Sequence, residues 1–453
     1  MSAHPEMPAK KPAPKPEGAP GVHAKPLWSV RPASDREAGD AVVSNFLLHW
    51  FPAKTYKPSL DWNYSFWLGT ASAALLLLVT VSGLPLLFLY VPSVERAYGS
   101  VKDIEYVTTF GFWIRAVHRL SAHLMVAVVF LHMVRVFLTG AYKNGRGQGQ
   151  KREQNWVLGI GLLLLTLLLS FTGYLLPWDQ LAYWAITVGT NIASSIPFVG
   201  PAIRELLLGG RAIDQATLIR FYVLHVIALP AAIGVIFLYH MWRVRKDGGL
   251  ARADHSALLP EKAAEAPSKT KTYALLGVAR GTSPAVKAST LERPDTTVNS
   301  VPDLTRRILI VVLAIFAVVS IASVFYHAPL EEPANALVTP NPAKAPWYFL
   351  WLQEIVTDTT VKIGSFTING AFLGGVLLPG ALVLLLTVWP WLDKSAPGSA
   401  GVWFPKDRRT QNAVFLAFVA GVLVLTFIGT FCRGPYWHLY WPWQAWPELP
   451  TRM

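Results

Sequence analysis

Residues 114–139 read IRAVHRLSAHLMVAVVFLHMVRVFLT, and this stretch decides the fold class. It contains enough apolar residues to cross a bilayer, whose hydrocarbon core of about 30 Å requires about 20 residues of helix. Two of its histidines, His118 and His132, are fourteen positions apart. Because fourteen residues are close to four helical turns, both side chains lie near one helix face, about 21 Å apart along the axis.

Six other stretches of the chain share this length and apolar character. Of the 453 residues, 53% are hydrophobic and 15% are charged, whereas soluble domains contain about 25% charged residues. This composition excludes a disordered, fibrous or water-soluble protein. It predicts an all-α integral membrane protein, in which a four-helix bundle is followed by three further helices. The seven predicted spans, numbered first to seventh in chain order, are residues 66–90, 114–139, 157–176, 219–242, 305–326, 370–391 and 411–431.

The segments outside the spans divide the chain into four parts. Residues 1–39 are rich in Ala, Pro and Lys, which predicts a disordered cytoplasmic tail. Residues 40–243 contain the four-helix bundle, preceded by a short interfacial helix predicted at 41–51 from its apolar spacing. Residues 244–303 are polar and contain several prolines and charges, which predicts a cytoplasmic linker similar to a fusion joint. Residues 304–453 form the three-helix C-terminal part.

The basic residues are concentrated in the tail and in alternate loops, which explains the net charge of +13. This asymmetry follows the positive-inside rule and therefore indicates topology rather than nucleic-acid binding. It predicts a multi-pass protein of a bacterial-type inner (cytoplasmic) membrane, with the N-terminus in the cytoplasm and the C-terminus outside. The loop between the second and third spans, for example, contains Lys143, Arg146, Lys151 and Arg152.

The fourth span contributes a second histidine pair, His225 and His240, fifteen positions apart. Both histidine-bearing spans run from outside to inside, so His118 lies level with His225 and His132 lies level with His240. A single intramembrane histidine can simply hydrogen-bond a neighbouring helix. Two matched pairs are better explained as the iron ligands of two stacked haems, an outer one (His118, His225) and an inner one (His132, His240).

Four glycines repeat the same spacing in the other two helices of the bundle. A glycine allows a flat macrocycle to approach the helix backbone closely. Close packing between helices would be the alternative explanation, but the shared period of fourteen favours haem contact. The glycines are Gly69 and Gly83 in the first span and Gly159 and Gly173 in the third.

Two arginines lie one helical turn from the histidines of the second span. Arg115 precedes His118 and Arg135 follows His132, so each guanidinium lies towards the membrane surface where a haem propionate would point. Snorkelling of an interfacial arginine is the alternative. His123 breaks the fourteen-residue spacing and is not predicted to be a ligand.

These residues resemble the cytochrome b family, the membrane subunit of quinol:cytochrome c and quinol:plastocyanin oxidoreductases. The resemblance covers residues 41–245 closely, through the H-x13-H of the second span, SFTGYLLPWDQ at 170–180 and the H-x14-H of the fourth span. It covers residues 304–435 more loosely, where the chain is similar to subunit IV of the chloroplast-type complex. In this protein both parts belong to a single chain.

The resemblance implies a di-haem subunit of a bc-type quinol:cytochrome c oxidoreductase that works in a proton-translocating Q-cycle. Quinol would be oxidised near the outer haem, and one electron would cross the membrane through both haems to a second quinone. Such a subunit is an oxidoreductase only together with a Rieske iron–sulfur protein and a c-type cytochrome. The resemblance also implies contact with membrane lipid and quinone and assembly into a homodimeric complex. It implies no binding of nucleic acid.

The chain departs from the family at the quinol-oxidation motif. The family reads Pro-Glu-Trp-Tyr, and its glutamate takes a quinol proton, whereas residues 345–348 read Ala-Pro-Trp-Tyr. Proline cannot accept a proton. We therefore expect Trp347 and Tyr348 to line the site and Glu354, which follows an aromatic-rich run, to act as the general base. The other candidates are Glu331 and Glu332, and all three carboxylates could instead be solvated loop charges.

A second departure concerns covalent haem. The chloroplast-type branch attaches an additional haem through a cysteine early in the first span, where this chain has Trp67. The only cysteine, Cys432, lies near the opposite surface, so both haems b are expected to be non-covalent. One cysteine also excludes a disulfide framework, a thiolate zinc site and a cysteine-ligated iron–sulfur cluster within the chain.

Two other functions would also use intramembrane histidines. A haem-bearing membrane anchor of another respiratory dehydrogenase would not explain the Trp-Tyr loop or the last three spans. A proton-coupled transporter with a histidine relay would not require level pairs at four-turn spacing. A reduced-minus-oxidised spectrum distinguishes these classes, because a protein without a b-type band binds no haem b.

Overall fold

The computed structural model confirms the all-α membrane fold. Seven helices are long and apolar enough to cross a bilayer, and they correspond one to one with the predicted spans. Most of the predicted tail, and residues 253–296 of the predicted linker, lie outside the described part of the chain. The structure describes residues 32, 34–44, 48–144, 150–252 and 297–447.

Most of the helices extend beyond the apolar stretches that predict them, whereas the first, Leu68–Leu89, lies within its predicted stretch of 66–90. The fourth continues to Lys246, four residues past its predicted end, because its last turn carries basic side chains that interact favourably with the helix C-terminus. The seven spans are Leu68–Leu89, Gly111–Leu138, Arg152–Leu175, Gln215–Lys246, Ser300–Phe325, Gly370–Leu392 and Lys406–Cys432.

The first four spans form the predicted bundle. The first packs along the second, the third along the fourth, and the second also contacts the third. The middle of the bundle is a layer of buried apolar side chains, which includes Leu75, Met125 and Ile233. Each of these residues lies, along its own helix, between two of the glycines or histidines singled out above. An apolar layer therefore separates the two predicted haem levels.

The last three spans pack against this bundle. The fifth contacts the first and the second, the sixth contacts the third, and the seventh contacts a shorter helix, Trp347–Thr359. A hairpin of two-residue strands, Lys362–Ile363 and Phe366–Thr367, follows that helix. Three further short helices lie between spans, at Ala97–Tyr106, Gln180–Ser194 and Gly200–Leu208.

The predicted interfacial helix begins earlier than its apolar pattern. The structure has an α-helix at Asp35–Ser44 and one 3-10 turn at Leu48–Trp50. The Ser34 hydroxyl accepts a hydrogen bond from the Glu37 backbone N–H at 3.2 Å, and a serine in this position caps a helix N-terminus. The apolar spacing alone contains no information about this polar first turn.

On the predicted cytoplasmic side, the two parts of the chain are joined by strands. Strand β1, Lys54–Tyr56, pairs in antiparallel register with strand β2, Thr297–Asn299. The Tyr64 hydroxyl donates to the backbone carbonyl of Gly401 at 2.9 Å. These contacts place the ends of the first, fifth and seventh spans on one side of the molecule.

A buried polar network also joins the two parts on this side. Arg408 is 0% exposed and donates through Nε to Oδ2 of Asp393 at 2.9 Å. The Tyr142 hydroxyl donates to the same oxygen at 2.6 Å. Burial raises the pKa of the Asp393 carboxyl, but hydrogen bonds from Ser395 and Tyr142 outweigh burial and hold this pKa well below its usual range.

Candidate functional site

The structure brings the predicted outer ligands together. The imidazole centroids of His118 and His225 are 6.2 Å apart, with an angle of 81° between the ring planes. A metal held between two imidazole nitrogens, each about 2 Å away, requires ring centroids about 6 Å apart. The separation therefore fits axial ligation of one haem iron by this pair.

The hydrogen bonds of both rings leave a nitrogen free for such a metal. Nδ1 of His118 donates to the backbone carbonyl of Val79 at 3.0 Å, and Nδ1 of His225 donates to that of Leu169 at 3.1 Å. A histidine ligand typically holds its second ring nitrogen in this way, because the bond fixes the tautomer and the ring orientation. Nε2 of each ring is then the nitrogen available to iron.

Each of the four predicted glycines lies against one of the four histidines. A Cβ atom at Gly173 would lie 2.5 Å from Cε1 of His225, which is shorter than any normal contact. At the other positions the corresponding distances are 3.2 Å from Gly83 to His118, 3.2 Å from Gly69 to His132, and 3.7 Å from Gly159 to His240. The glycines therefore make room for the histidine rings on the first and third helices.

The unequal spacing of the two histidine pairs has a structural cause. The fourth helix contains one π-helical turn, Leu224–Ala228, which includes His225. A π-turn accommodates an additional residue without changing the direction of the helix. The fifteen residues from His225 to His240 therefore cover nearly the same rotation and rise as the fourteen between His118 and His132. This keeps both pairs level.

At the inner level, the His132 ring lies against Gly69 on the first helix and the His240 ring lies against Gly159 on the third. Arg135, one turn beyond His132, is 3% exposed, and its guanidinium carbon lies 4.7 Å from the centroid of the Tyr64 ring. Its Nε and Nη2 atoms are buried and have no hydrogen-bond partner among the described residues. A buried guanidinium with free donors is suited to an anionic group such as a propionate.

Arg115 lies in a different environment at the outer level. Its Nη1 donates to Oε2 of Glu105 at 2.6 Å and to the Ala328 carbonyl at 2.7 Å, and its Nη2 donates to the Pro329 carbonyl at 2.8 Å. Both terminal nitrogens are therefore used to hold the loop after the fifth span. Arg119, which the spacing argument passed over, has a buried Nε without a partner in the described structure.

The predicted quinol-site aromatics lie against the second span. Trp347 is 41% exposed, and its Nε1 donates to Nδ1 of His123 at 3.0 Å. Tyr348 is buried, with its ring centroid 5.7 Å from that of His123, and burial raises the pKa of its hydroxyl to about 12. His123 breaks the fourteen-residue spacing and is therefore not a predicted ligand. Its polarity within an apolar span was the signal that could have identified it.

Glu354 lies about two helical turns beyond Trp347 and on nearly the same face of the helix. Six residues at 100° each place it about 120° around the Trp347–Thr359 helix from Tyr348. Its side chain is 1% exposed, and its Oε1 accepts from Nε of Arg433 at 2.8 Å. Its Oε2 is buried without a hydrogen-bond partner among the described residues. Arg433, at the end of the seventh span, was not predicted.

The two competing carboxylates, Glu331 and Glu332, are exposed. Cys432 is buried at the C-terminal end of the seventh span, which is its predicted outer end. Within the described ranges, no group of three or more His, Cys, Asp or Glu side chains could hold a metal ion. Two-ligand histidine pairs are compatible with this finding, because the macrocycle of a haem supplies the remaining iron ligands.

Comparisons with known proteins identify the same two parts of the chain. The family model "Cytochrome b/b6/petB" matches residues 54–248, and "Cytochrome b(C-terminal)/b6/petD" matches residues 333–442. Cytochrome b6 of Synechococcus elongatus is 41% identical over 186 residues, which are 41% of this chain and 84% of that protein. Cytochrome b6 of Heliomicrobium gestii is 42% identical over 191 residues, which are 42% of this chain and 87% of that protein.

Among solved structures, the chain is similar to one titled "Hyperthermophilic respiratory Complex III". The TM-score is 0.63 at 26% sequence identity, and the similarity covers 83% of this chain and 86% of that chain. Unlike the match to the b6 proteins, this similarity extends over both parts. These findings confirm the resemblance inferred from the sequence motifs.

Proposed function

Because the chain belongs to the cytochrome b/b6 family and is, by family, the cytochrome b subunit of a bc-type oxidoreductase, we propose that it carries electrons from quinol across the membrane through two non-covalent haems b. The observation that carries the proposal is the level pair of His118 and His225, with ring centroids 6.2 Å apart. In a Q-cycle, this transfer is coupled to the release of protons outside.

The four histidines would hold the two haems through iron. His118 and His225 are assigned to the outer haem, and His132 and His240 to the inner one. When bound, each haem supplies a one-electron carrier. The four glycines of the first and third helices leave space for the histidine rings. Arg135 has hydrogen-bond donors that could bind a propionate of the inner haem. Arg115 is the predicted partner of an outer propionate, but both of its terminal nitrogens already bond other groups. Arg119, whose buried Nε has no partner in the described structure, is therefore a second candidate.

The cluster of buried apolar side chains between the two levels disfavours water in the middle of the bundle. A dry, low-dielectric interior offers protons and other ions no path alongside the electrons. This property favours an electron carrier over a histidine-relay transporter, which needs a continuous polar path. Family membership likewise favours it over an anchor of a different dehydrogenase.

Purified protein tests the haem proposal directly. We expect a b-type band in the reduced-minus-oxidised spectrum and two haems per polypeptide. Electrophoresis under denaturing conditions should leave the 49.9 kDa band without haem stain, because Cys432 is the only thiol. A haem-free preparation from cells that supply haem would overturn the proposal, and a stained band would overturn its non-covalent part.

For quinol oxidation we propose a site lined by Trp347 and Tyr348, with Glu354 as the proton acceptor. Burial of Glu354 and its unpartnered Oε2 support this role, whereas Glu331 and Glu332 are exposed. Arg433 binds only Oε1 of this carboxylate and so leaves the second oxygen for a proton.

The variant Glu354→Gln tests this role. Quinol oxidation should slow by about 10²–10⁴-fold, the usual loss when a general base is removed. Asp358→Asn is a matched control, because Asp358 contacts the same Arg433 at 3.3 Å but its side chain is 53% exposed. Haem content should be normal in both variants. Unchanged turnover in haem-replete Glu354→Gln would move the role to His123, Glu331 or Glu332.

The proposed partners are a Rieske iron–sulfur protein, a c-type cytochrome, quinone and a second copy of the complex. The similarity to a respiratory Complex III chain over both parts supports this assembly. The positive-inside asymmetry supports a bacterial-type inner membrane with the N-terminus in the cytoplasm and the C-terminus outside. Reporter proteins fused to the N-terminus and to the C-terminus should be active on opposite sides of the membrane.

A further inference from the structure

The outer histidines each face a side-chain hydroxyl in addition to a backbone carbonyl. Nδ1 of His118 lies 3.1 Å from Oγ of Ser82, the residue before Gly83. The Ser82 hydroxyl proton is used elsewhere, because Oγ donates to the Leu78 carbonyl at 2.7 Å. A hydroxyl has one proton and two lone pairs. Ser82 can therefore only accept from the imidazole N–H.

The third helix repeats this arrangement on the other side of the site. Nδ1 of His225 lies 3.1 Å from Oγ1 of Thr172, the residue before Gly173. Oγ1 of Thr172 donates to the Leu168 carbonyl at 3.0 Å, so it too faces the ring as an acceptor. Each outer ring N–H thus has two acceptors, one from the backbone and one from a hydroxyl.

The inner level lacks the hydroxyls. The residues before Gly69 and Gly159 are Leu68 and Leu158, and a leucine side chain offers no acceptor. Nδ1 of His240 lies near the Asn155 backbone, without a hydrogen bond of good geometry. The two levels therefore share their ligands and glycines, but hydroxyl acceptors lie behind the N–H groups of His118 and His225, whereas Nδ1 of His240 has no hydrogen-bond partner among the described residues.

We propose that Ser82 and Thr172 are positioning residues that lower the reduction potential of the outer haem relative to the inner one. The inference rests on the proposed haem ligation by the four histidines. A hydrogen bond accepted from the second ring nitrogen makes a histidine a more basic ligand. A more basic ligand stabilises the oxidised iron, which carries the higher positive charge. The resulting bias favours electron flow from the outer level to the inner one.

Redox titration of the haem-replete protein tests the inference. The variants are Ser82→Ala, Thr172→Val and the double variant. In the double variant, the equilibrium constant for reduction of the outer haem should rise about tenfold. This corresponds to an increase of about 59 mV in its reduction potential, because the couple transfers one electron. Each single variant should give part of this shift, and the inner haem should not change. The spectrum that remains in His132→Ala assigns the outer haem.

Matched controls separate this role from general packing. Ser72→Ala and Thr166→Val remove hydroxyls of the same helices, which bond the carbonyls of Leu68 and Leu162 but no histidine. The conservative exchanges Ser82→Thr and Thr172→Ser should keep the wild-type potential. An unchanged outer potential in both haem-replete single variants, or an equal shift in the controls, overturns the inference. Wild-type protein without haem would instead overturn the proposed function.

Discussion

The outer and inner levels of the bundle are built on one repeat and differ in what surrounds it. Both have a histidine pair on the second and fourth helices and one glycine on each of the first and third, fourteen residues from the glycine of the other level. At the outer level Ser82 and Thr172 bind the ligand rings. At the inner level leucines replace them, and Arg135 has free donors. The repeat thus sets where two haems would lie, and its neighbours make the two sites unequal.

Removing one ligand is the strongest way to test whether the levels are independent. His132→Ala or His240→Ala should abolish the inner haem, because a single imidazole leaves the iron with an open axial position. The outer haem should survive, since an apolar layer separates the two levels. Haem content per polypeptide should therefore fall from two to one. Retention of both haems in both variants would refute the ligand assignment.

Substitutions of the glycines should affect the two levels to different extents. In Gly173→Ala the new Cβ would lie 2.5 Å from Cε1 of His225, so this ring must move and outer-haem content should fall several-fold. In Gly159→Ala the nearest ring atom is 3.7 Å away, an ordinary contact, and the inner haem should be retained. The haem content of each variant, together with the spectrum of the haem that remains, measures both effects. Equal loss in the two variants would mean that the macrocycle rather than the histidine ring rests on the glycine.

Substitution of the two arginines should give different effects at the two levels. Arg115→Gln removes the charged partner of the buried Glu105 carboxylate, which keeps only the contact with Nδ1 of His327 at 3.3 Å, so we expect a loss of about 3–5 kcal/mol in stability. Arg135→Gln breaks no protein ion pair. Stability should change little there, while the inner haem becomes harder to reduce because a nearby positive charge is lost. Thermal unfolding and redox titration measure the two effects. The opposite pattern would contradict this contrast between the two levels.

The proposed quinol site shows why part of the molecule could not be predicted. Trp347 and His123 are 224 positions apart, and their hydrogen bond depends on how the C-terminal part docks on the second helix. Arg115 contacts carbonyls more than 200 positions away. No local pattern encodes such contacts. The sequence does, however, show Glu354 in an aromatic run, and the structure adds the pairing with Arg433.

The class of the protein, its seven spans and its four histidines follow from the sequence by itself. Apolar length and helical period are local properties, because a helix satisfies its own backbone hydrogen bonds and the bilayer requires a set number of residues. Only the tertiary structure decided the relations between helices. These include the π-turn that keeps His225 level, the acceptors behind the His118 and His225 rings, and the different environments of Arg115 and Arg135. Such relations depend on the relative rotation of packed helices, which is set by contacts between residues distant in the chain.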